Sequence, residues 1–116
     1  VRSGFRDEAN RIGLAQLEAA SFSDFRLPEA FAGFDRNVGR FPVPYPTACS
    51  PQAWATGAPF VFIKNMLGLD VHDGEVRIDP RVPEDIGRIY VHGMHAFGTH
   101  WDVEAIGTNG HVRLTR

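Results

Sequence analysis

The sequence has little of several features that mark particular classes of protein. Its 116 residues contain one cysteine, Cys49, so no disulfide can form within the chain, and we expect a reduced, cytoplasmic compartment. No apolar run approaches the roughly 18 residues that a membrane-spanning helix needs, and the first residues have no apolar signal-peptide core. The net charge is -2 without any run of like charges, which argues against a nucleic-acid or membrane partner.

What is present is typical of a small globular domain. The apolar share is 43% and the charged share 22%, so the chain can bury a modest core. It begins with Val1 rather than methionine, and it ends in "HVRLTR", which has the alternation of a strand. From these two ends we expect a fragment of a longer protein.

Two helices are predicted. The first covers Phe5 to Ala20, where apolar residues recur at spacings of three and four. Its predicted inward positions are Phe5, Ala9, Ile12, Ala15 or Gln16, and Ala19. The second helix has Ser50 as its predicted N-cap, Pro51 at its first position, a kink at Pro59, and Gly68 as a left-handed C-cap.

The body of the second helix is apolar on nearly every side, through the segment "PFVFIKNML". Such a helix is normally packed among other elements all round. One partner helix cannot cover it, which is a further indication of a fragment.

A proline-rich segment connects the helices, from Ser21 to Ser50. Six of the eight prolines of the chain lie between Pro28 and Pro59, so this segment can neither continue a helix nor form a central strand. Its aromatic residues favour an ordered loop over a flexible linker. Such a loop either carries function or covers the edge of a core.

After Asp70 the apolar period changes to two. The segments "EVRID", "RIYVHGMHAF", "THWDVEAI" and "HVRLT" alternate, and turns are predicted at Asp73-Gly74, Gly98 and Asn109-Gly110. The C-terminal third is therefore predicted to be a small antiparallel β element, and the fold class α+β.

Five histidines raise the question of a metal site. His92 and His95 are three apart on a predicted strand, so they face opposite sides and cannot share an ion. His100 can approach His95 across a hairpin, but no third ligand is placed beside them. We therefore predict no metal site and surface positions for the histidines.

Cys49 is a different kind of candidate, since a thiol can act as a nucleophile. It has no nucleophile signature around it, and a buried structural cysteine is the commoner case. Because it lies beside the predicted N-cap, it could line a pocket.

Two further features are candidates for a binding site. In "RLPEAFAGFDR", Glu29 is an acid within a stretch rich in phenylalanine, alanine and glycine, so it is either an incidental surface charge or an acid held in a pocket. In "CSPQAW", Gln52 and Trp54 could form a sugar-binding wall, with the indole for stacking and the amide for hydrogen bonds. The alternative is that Trp54 belongs to the core and Gln52 assists the helix cap.

The order of these motifs resembles a known family. "RLPEAFAGFDR" followed by "VPYPTACSPQAWATGAPF" is similar to the C-terminal segment of bacterial amylo-alpha-1,6-glucosidases, the glycogen-debranching type of glycoside hydrolase. The similarity covers roughly Phe22 to Leu69, and a turn at Val82-Pro83 extends it loosely. It implies that residues 1–70 are the last helices and catalytic loop of an incomplete (α/α)6 barrel, and residues 71–116 a β-hairpin-rich tail.

The resemblance also implies an activity. Glu29 would be the general base of an inverting hydrolysis of α-glucosidic bonds, α-1,6 bonds of glycogen-like glucans in particular. Gln52, Trp54, Phe34 and Tyr45 would shape the sugar subsite, with no metal or other cofactor. The partners would be an oligo- or polysaccharide and the remainder of the parent chain.

The general acid is expected outside this chain, on an earlier helix hairpin, so the fragment alone is expected to be inactive. The acids within the chain have no supporting motif: Asp7, Glu8, Glu18, Asp24 and Asp35. Two alternatives stay open. One is another (α/α)6 glycosidase, trehalase-like or acting on mannosides, and the other is a non-catalytic carbohydrate-binding or interaction module.

Overall fold

A computed structural model describes residues 3–115 of the chain, so the terminal arginine of the strand-like "HVRLTR" lies outside the described residues. The described part contains helix α1 (Arg6–Ser21), a short 3-10 helix (Ala53–Gly57) and helix α2 (Ala58–Leu67). Five strands follow: β1 (Asp70–His72), β2 (Glu75–Arg77), β3 (Arg88–Ala96), β4 (Thr99–Ile106) and β5 (Asn109–Thr115). They form two antiparallel sheets, β1-β2 and β3-β4-β5, so the predicted α+β class is confirmed.

The chain divides into two compact units. Arg11–Val61 forms the first, which we call the loop unit, and it includes most of α1 and the proline-rich segment. The described parts of Val1–Asn10 and Phe62–Arg116 form the second, which we call the sheet unit.

Helix α1 lies within one residue of its predicted range, but its predicted inward face is wrong in part. Phe5 and Ile12 are 67% and 56% exposed. The buried positions Arg6, Gly13 and Ala20 are instead seven residues apart, which places them on one side of the helix. Arg6 takes a buried position because it finds polar partners there.

Those partners lie within the sheet unit. The Arg6 Nη1 atom donates to Asp79 Oδ2 at 2.5 Å, and Nη2 donates to the Asp79 carbonyl oxygen and, at 3.4 Å, to that of Asn65. A guanidinium can be buried when several acceptors satisfy its donors. Arg6 therefore connects the start of α1 to the end of α2 and to the segment after β2.

The start of α2 differs from the prediction. Gln52, not Ser50, precedes the helical segment as the N-cap of the 3-10 helix, with an extended backbone at φ -108° and ψ 128°. Its side-chain oxygen accepts the Ala53 N–H at 2.9 Å, so the predicted capping role of Gln52 is confirmed. Pro59 is the second residue of α2 rather than an interior one, so its missing N–H removes no helical hydrogen bond.

The end of α2 is as predicted. Gly68 has φ +58°, its N–H donates to the Asn65 carbonyl at 3.1 Å, and the Leu69 N–H donates to the Lys64 carbonyl at 3.0 Å. This is a Schellman motif, in which glycine ends the helix in the left-handed conformation.

Burial along α2 is uneven. Met66 and Leu67 are buried at 2% and 0% exposure, whereas Phe60 and Val61 are 74% and 54% exposed. The expectation that one partner cannot cover this helix agrees with these exposures. Within residues 3–115, no helix combines the length and apolarity needed to cross a membrane.

Two hairpin turns are as predicted. Asp73 and Gly74 both have positive φ values, 52° and 79°, and join β1 to β2. Phe97 and Gly98 repeat this geometry, at 52° and 72°, between β3 and β4. Two consecutive left-handed residues match the right-handed twist of the flanking strands.

The predicted turn at Asn109-Gly110 is wrong, because the chain turns two residues earlier. Ile106 pairs with Asn109, so Gly107 and Thr108 form the turn and Asn109 begins β5. Glycine is required at position 110 because neighbouring atoms leave no room for a side chain, not because the chain turns there. A Cβ there would lie 2.9 Å from the Glu104 carbonyl oxygen and 2.7 Å from Ile78 Cδ1.

The core of the sheet unit is formed by side chains from the end of α2, from the strands and from the segment between β2 and β3. Leu67 and Val103 are fully buried. The other buried apolar side chains of this unit are Met66, Val76, Pro80, Val82, Ile89 and Ala105.

Candidate functional site

The proline-rich segment is ordered by backbone pairing within the loop unit. Its two branches, residues 27–32 and 43–52, run antiparallel and are joined by backbone hydrogen bonds at four positions, which we call levels. The Gln52 N–H donates to the Leu27 carbonyl (3.1 Å), Glu29 to Cys49 (2.9 Å), Tyr45 to Ala30 (3.1 Å) and Ala32 to Val43 (2.8 Å). The pairing gives hydrogen-bond partners to backbone N–H and C=O groups of a segment that forms no helix or regular sheet. It agrees with the prediction of an ordered loop.

Glu29 lies at the second of these levels, directly after the buried Pro28. Its side chain is exposed, and its carboxylate Oε2 accepts the backbone N–H of Cys49 at 3.2 Å. The Glu29 N–H in turn donates to the Cys49 carbonyl at 2.9 Å. Glu29 is thus a surface acid whose backbone and side chain are both held by one residue of the opposite branch.

The structure brings Glu29 together with two other predicted site residues. Glu29, Gln52, Trp54 and Ala55 line one pocket of about 420 Å³ in the loop unit. Trp54 is 90% exposed, so the alternative that it belongs to the core is wrong. Because the Gln52 side-chain oxygen is engaged by Ala53, its amide nitrogen is the group left to donate to a ligand.

The two remaining subsite candidates lie elsewhere. Phe34 lines a separate pocket of about 160 Å³, together with Phe31 and Phe41. Tyr45 is 53% exposed, and it is not among the described residues that line the Glu29 pocket. Phe34 and Tyr45 belong to the same loop as Glu29, but their side chains do not line the same pocket.

A larger pocket of about 540 Å³ was not predicted. It lies in the same unit and shares Gln52 and Ala55 with the Glu29 pocket. Its other lining residues are mostly apolar: Leu17, Ala20, Phe25, Arg26, Leu27, Pro51, Ala53, Thr56 and Pro59. Because they come from α1 and from both branches of the loop, no local sequence pattern links them.

Two of the other acids of the loop unit have partners of their own. Glu18 Oε1 accepts from Arg36 Nη2 at 2.6 Å, and Asp35 Oδ1 accepts the Asn37 N–H at 2.8 Å. Among the described residues that line the Glu29 pocket, Glu29 is the single carboxylate. A reaction that requires two carboxylates needs its second one from another part of a protein.

The histidines lie in the sheet unit. His95 and His100 pair directly across the β3-β4 turn with ring centroids 5.2 Å apart, as expected for a hairpin. His92 is 68% exposed, and its Nδ1 lies 2.8 Å from Asp102 Oδ1. Within residues 3–115 there is no group of three or more side chains placed to hold a metal ion.

Asp102 is the most connected polar side chain of the sheet unit, and sequence patterning missed it. It is 4% exposed. Its carboxylate accepts from Tyr90 Oη (3.0 Å), Gly93 N (3.0 Å), Arg113 Nη2 (3.1 Å) and Thr115 Oγ1 (2.9 Å). The Gly93 N–H is the main cause that holds the pKa of Asp102 far below its usual value, with Thr115, Tyr90 and Arg113 adding to it against the opposing effect of burial.

This cluster has a structural cause. The pairing of β3 with β4 shifts register between Val91 and Met94, which leaves Gly93 without a regular ladder partner. The Asp102 carboxylate supplies the missing acceptor. The arrangement completes the hydrogen bonding of a β-bulge.

Comparisons with protein-family models, with curated proteins and with solved structures give no match for this chain. The pocket that contains Glu29 is the place where the predicted site residues meet.

Proposed function

We propose that this chain is the C-terminal part of an (α/α)6-barrel glycoside hydrolase that cleaves α-glucosidic bonds, α-1,6 bonds of glycogen-like glucans in particular. The observation that carries the proposal is the common pocket of Glu29, Gln52 and Trp54. These are three of the residues that the family resemblance assigns to the base and to the sugar subsite.

In this proposal Glu29 is the general base. It would accept a proton from the water molecule that attacks the anomeric carbon, while an acid on the opposite side protonates the leaving oxygen. An inverting enzyme holds its two carboxyl groups about 6.5–9.5 Å apart, which leaves room for that water. The lone carboxylate of the pocket fits a base whose acid comes from the rest of the parent chain.

Trp54 and Gln52 would bind the sugar. An exposed indole offers a flat apolar surface for the C–H face of a glucosyl ring, and Trp54 is 90% exposed. The Gln52 amide nitrogen would donate to a hydroxyl group. The pocket is an open depression, since Glu29 and Trp54 are both exposed, so the rest of the parent chain would close it around the sugar.

Exposed apolar side chains support the incomplete barrel. A large apolar side chain gains roughly 1.5–3 kcal/mol when it is fully buried rather than left exposed. Apart from Trp54, large apolar side chains of the loop unit that are more than half exposed occur on both helices and along the loop: Ile12, Phe22, Phe25, Phe34, Val38, Phe41, Tyr45, Phe60 and Val61. Further helices of a barrel would cover such surfaces.

The test uses the full-length parent protein, with limit dextrin as substrate. Glu29→Gln keeps the size of the side chain but removes the base, so kcat should fall by about 10²- to 10⁴-fold. Glu84→Gln is the matched control, because Glu84 is an exposed acid of the sheet unit. Turnover by Glu29→Gln near the wild-type level would remove Glu29 from catalysis.

The same protein separates the alternatives. Hydrolysis of trehalose or of mannosides in preference to limit dextrin would assign a different substrate to the barrel. Binding of glucans without hydrolysis of any of them would favour a carbohydrate-binding module.

A further inference from the structure

The contact between Cys49 and Glu29 suggests a role for a backbone group in the reaction. We propose that the peptide N–H of Cys49 is a positioning group that orients the Glu29 carboxylate toward the attacking water. The inference rests on the proposed function, since it assigns to Cys49 a part in the base catalysis of Glu29.

Two hydrogen bonds in opposite directions connect Glu29 and Cys49. The Glu29 N–H donates to the Cys49 carbonyl at 2.9 Å, and the Cys49 N–H donates to Glu29 Oε2 at 3.2 Å. The first bond fixes the backbone of Glu29 against the opposite branch of the loop. The second bond then restricts the rotation of its side chain.

This link leaves one carboxylate oxygen for chemistry. Among residues 3–115, the Cys49 N–H is the one hydrogen-bond donor to the Glu29 carboxylate, so Oε1 has no protein donor there. A base must present a lone pair to its water within about 2.6–3.2 Å. With Oε2 held, Oε1 is the atom that accepts the proton.

The neighbouring levels of the loop hold Cys49 in place. Gln52 donates its N–H to the Leu27 carbonyl on one side, and Tyr45 donates to Ala30 on the other. The donor is therefore part of a paired backbone rather than a mobile side chain. Backbone donors of this kind are already oriented before the substrate binds, which is an advantage in catalysis.

The thiol itself has no part in this role. Any residue with a backbone N–H can supply the donor, whereas proline cannot. Cys49→Ala and Cys49→Ser should therefore keep the activity, and Cys49→Pro should lose it.

The kinetic test compares these variants in the full-length parent with limit dextrin. For Cys49→Pro we expect kcat to fall by about 10- to 100-fold with KM within a factor of two, because a misplaced catalytic group slows chemistry more than binding. Cys49→Ala should stay within a factor of two in both. An unchanged kcat in Cys49→Pro, or an equal fall in Cys49→Ala, would overturn the proposal.

A second measurement does not depend on the proline variant or on hydrolysis. The amide proton of Cys49, followed by NMR in this chain as the pH is lowered, should shift when the Glu29 carboxylate takes up a proton, and Glu29→Gln should abolish that shift. A Cys49 amide that does not respond would refute the link while leaving base catalysis by Glu29 intact. Conversely, a Glu29→Gln parent that stays active would reject base catalysis by Glu29 and with it the positioning role, even if the amide of the wild-type chain responds and the hydrogen bond itself is present.

Discussion

The Asp102 carboxylate accepts the backbone N–H of Gly93 at 3.0 Å, at the point where β3 and β4 shift register. A bulge leaves one peptide group without a strand partner, and a buried acid on the neighbouring strand replaces that partner. The ionised carboxylate accepts this bond more strongly than the neutral acid would, which makes the sheet sensitive to acid.

The stability of the sheet should therefore decrease at low pH. The pKa of Asp102 is lowered in the folded state, so its contribution is fully present above the unfolded value near 3.8 and is lost progressively as pH falls below that value. The free energy of urea unfolding, measured between about pH 7 and pH 2.5, should fall on the acid side. Asp102→Asn should reduce stability at neutral pH and flatten this dependence.

Asp85→Asn is the control for that series, because Asp85 is an exposed acid of the same unit. It should keep the stability and the acid dependence of the wild type. An acid dependence that survives unchanged in Asp102→Asn would show that other carboxylates cause it.

The second prediction concerns Gly68, where α2 ends. Gly68→Ala should destabilise the fold by more than about 2 kcal/mol, because alanine is strained at φ +58° and its Cβ would overlap the Asp79 carbonyl oxygen and lie 2.8 Å from Arg6 Nη2. Gly74→Ala is the matched comparison, since φ is +79° and no atom lies within 4 Å of the added Cβ. It should cost only the strain, about 1 kcal/mol. Equal losses in urea unfolding would mean that the close approach at Gly68 has no energetic weight.

The third prediction concerns Trp54. Trp54→Ala should raise the KM of the parent for limit dextrin roughly tenfold, since a lost stacking contact of about 1.4 kcal/mol corresponds to that factor. The stability of the chain should change by less than about 0.5 kcal/mol, because the indole is 90% exposed. Phe97→Ala, an exposed aromatic of the sheet unit, should leave KM unchanged. A large loss of stability in Trp54→Ala would instead indicate a packing role.

Local rules predicted the features that local forces decide. Gly68, Asp73-Gly74 and Gly98 are positions where a left-handed backbone ends a helix or turns a strand, and each lies where the sequence placed it. Asn109-Gly110 has the same local preference, yet it lies in β5, because cross-strand pairing set the register there.

Contacts distant in sequence decided the remaining features. The predicted N-cap is Ser50, whereas the observed one is Gln52. The Gln52 N–H donates to the Leu27 carbonyl, a partner that no local rule identifies. The buried side of α1 includes Arg6 because Asp79 meets it there. The role of Asp102 is not predictable from the sequence, because an alternating strand pattern treats every polar residue as facing solvent.

The candidate site was predictable in part. Glu29, Gln52 and Trp54 were named from their motifs, and they line one pocket. Phe34 was named from the same loop and lies at another pocket, because pairing of the two branches determines which side chains become neighbours.

Cys49 is the sole cysteine of the chain, and it is exposed rather than buried as a structural cysteine would be. A fluorophore or spin label attached to its thiol would therefore occupy one known position, without any engineering of the sequence. That position is directly opposite Glu29 across the paired loop. The protein thus carries its own attachment point for a probe that reports on the Glu29 pocket.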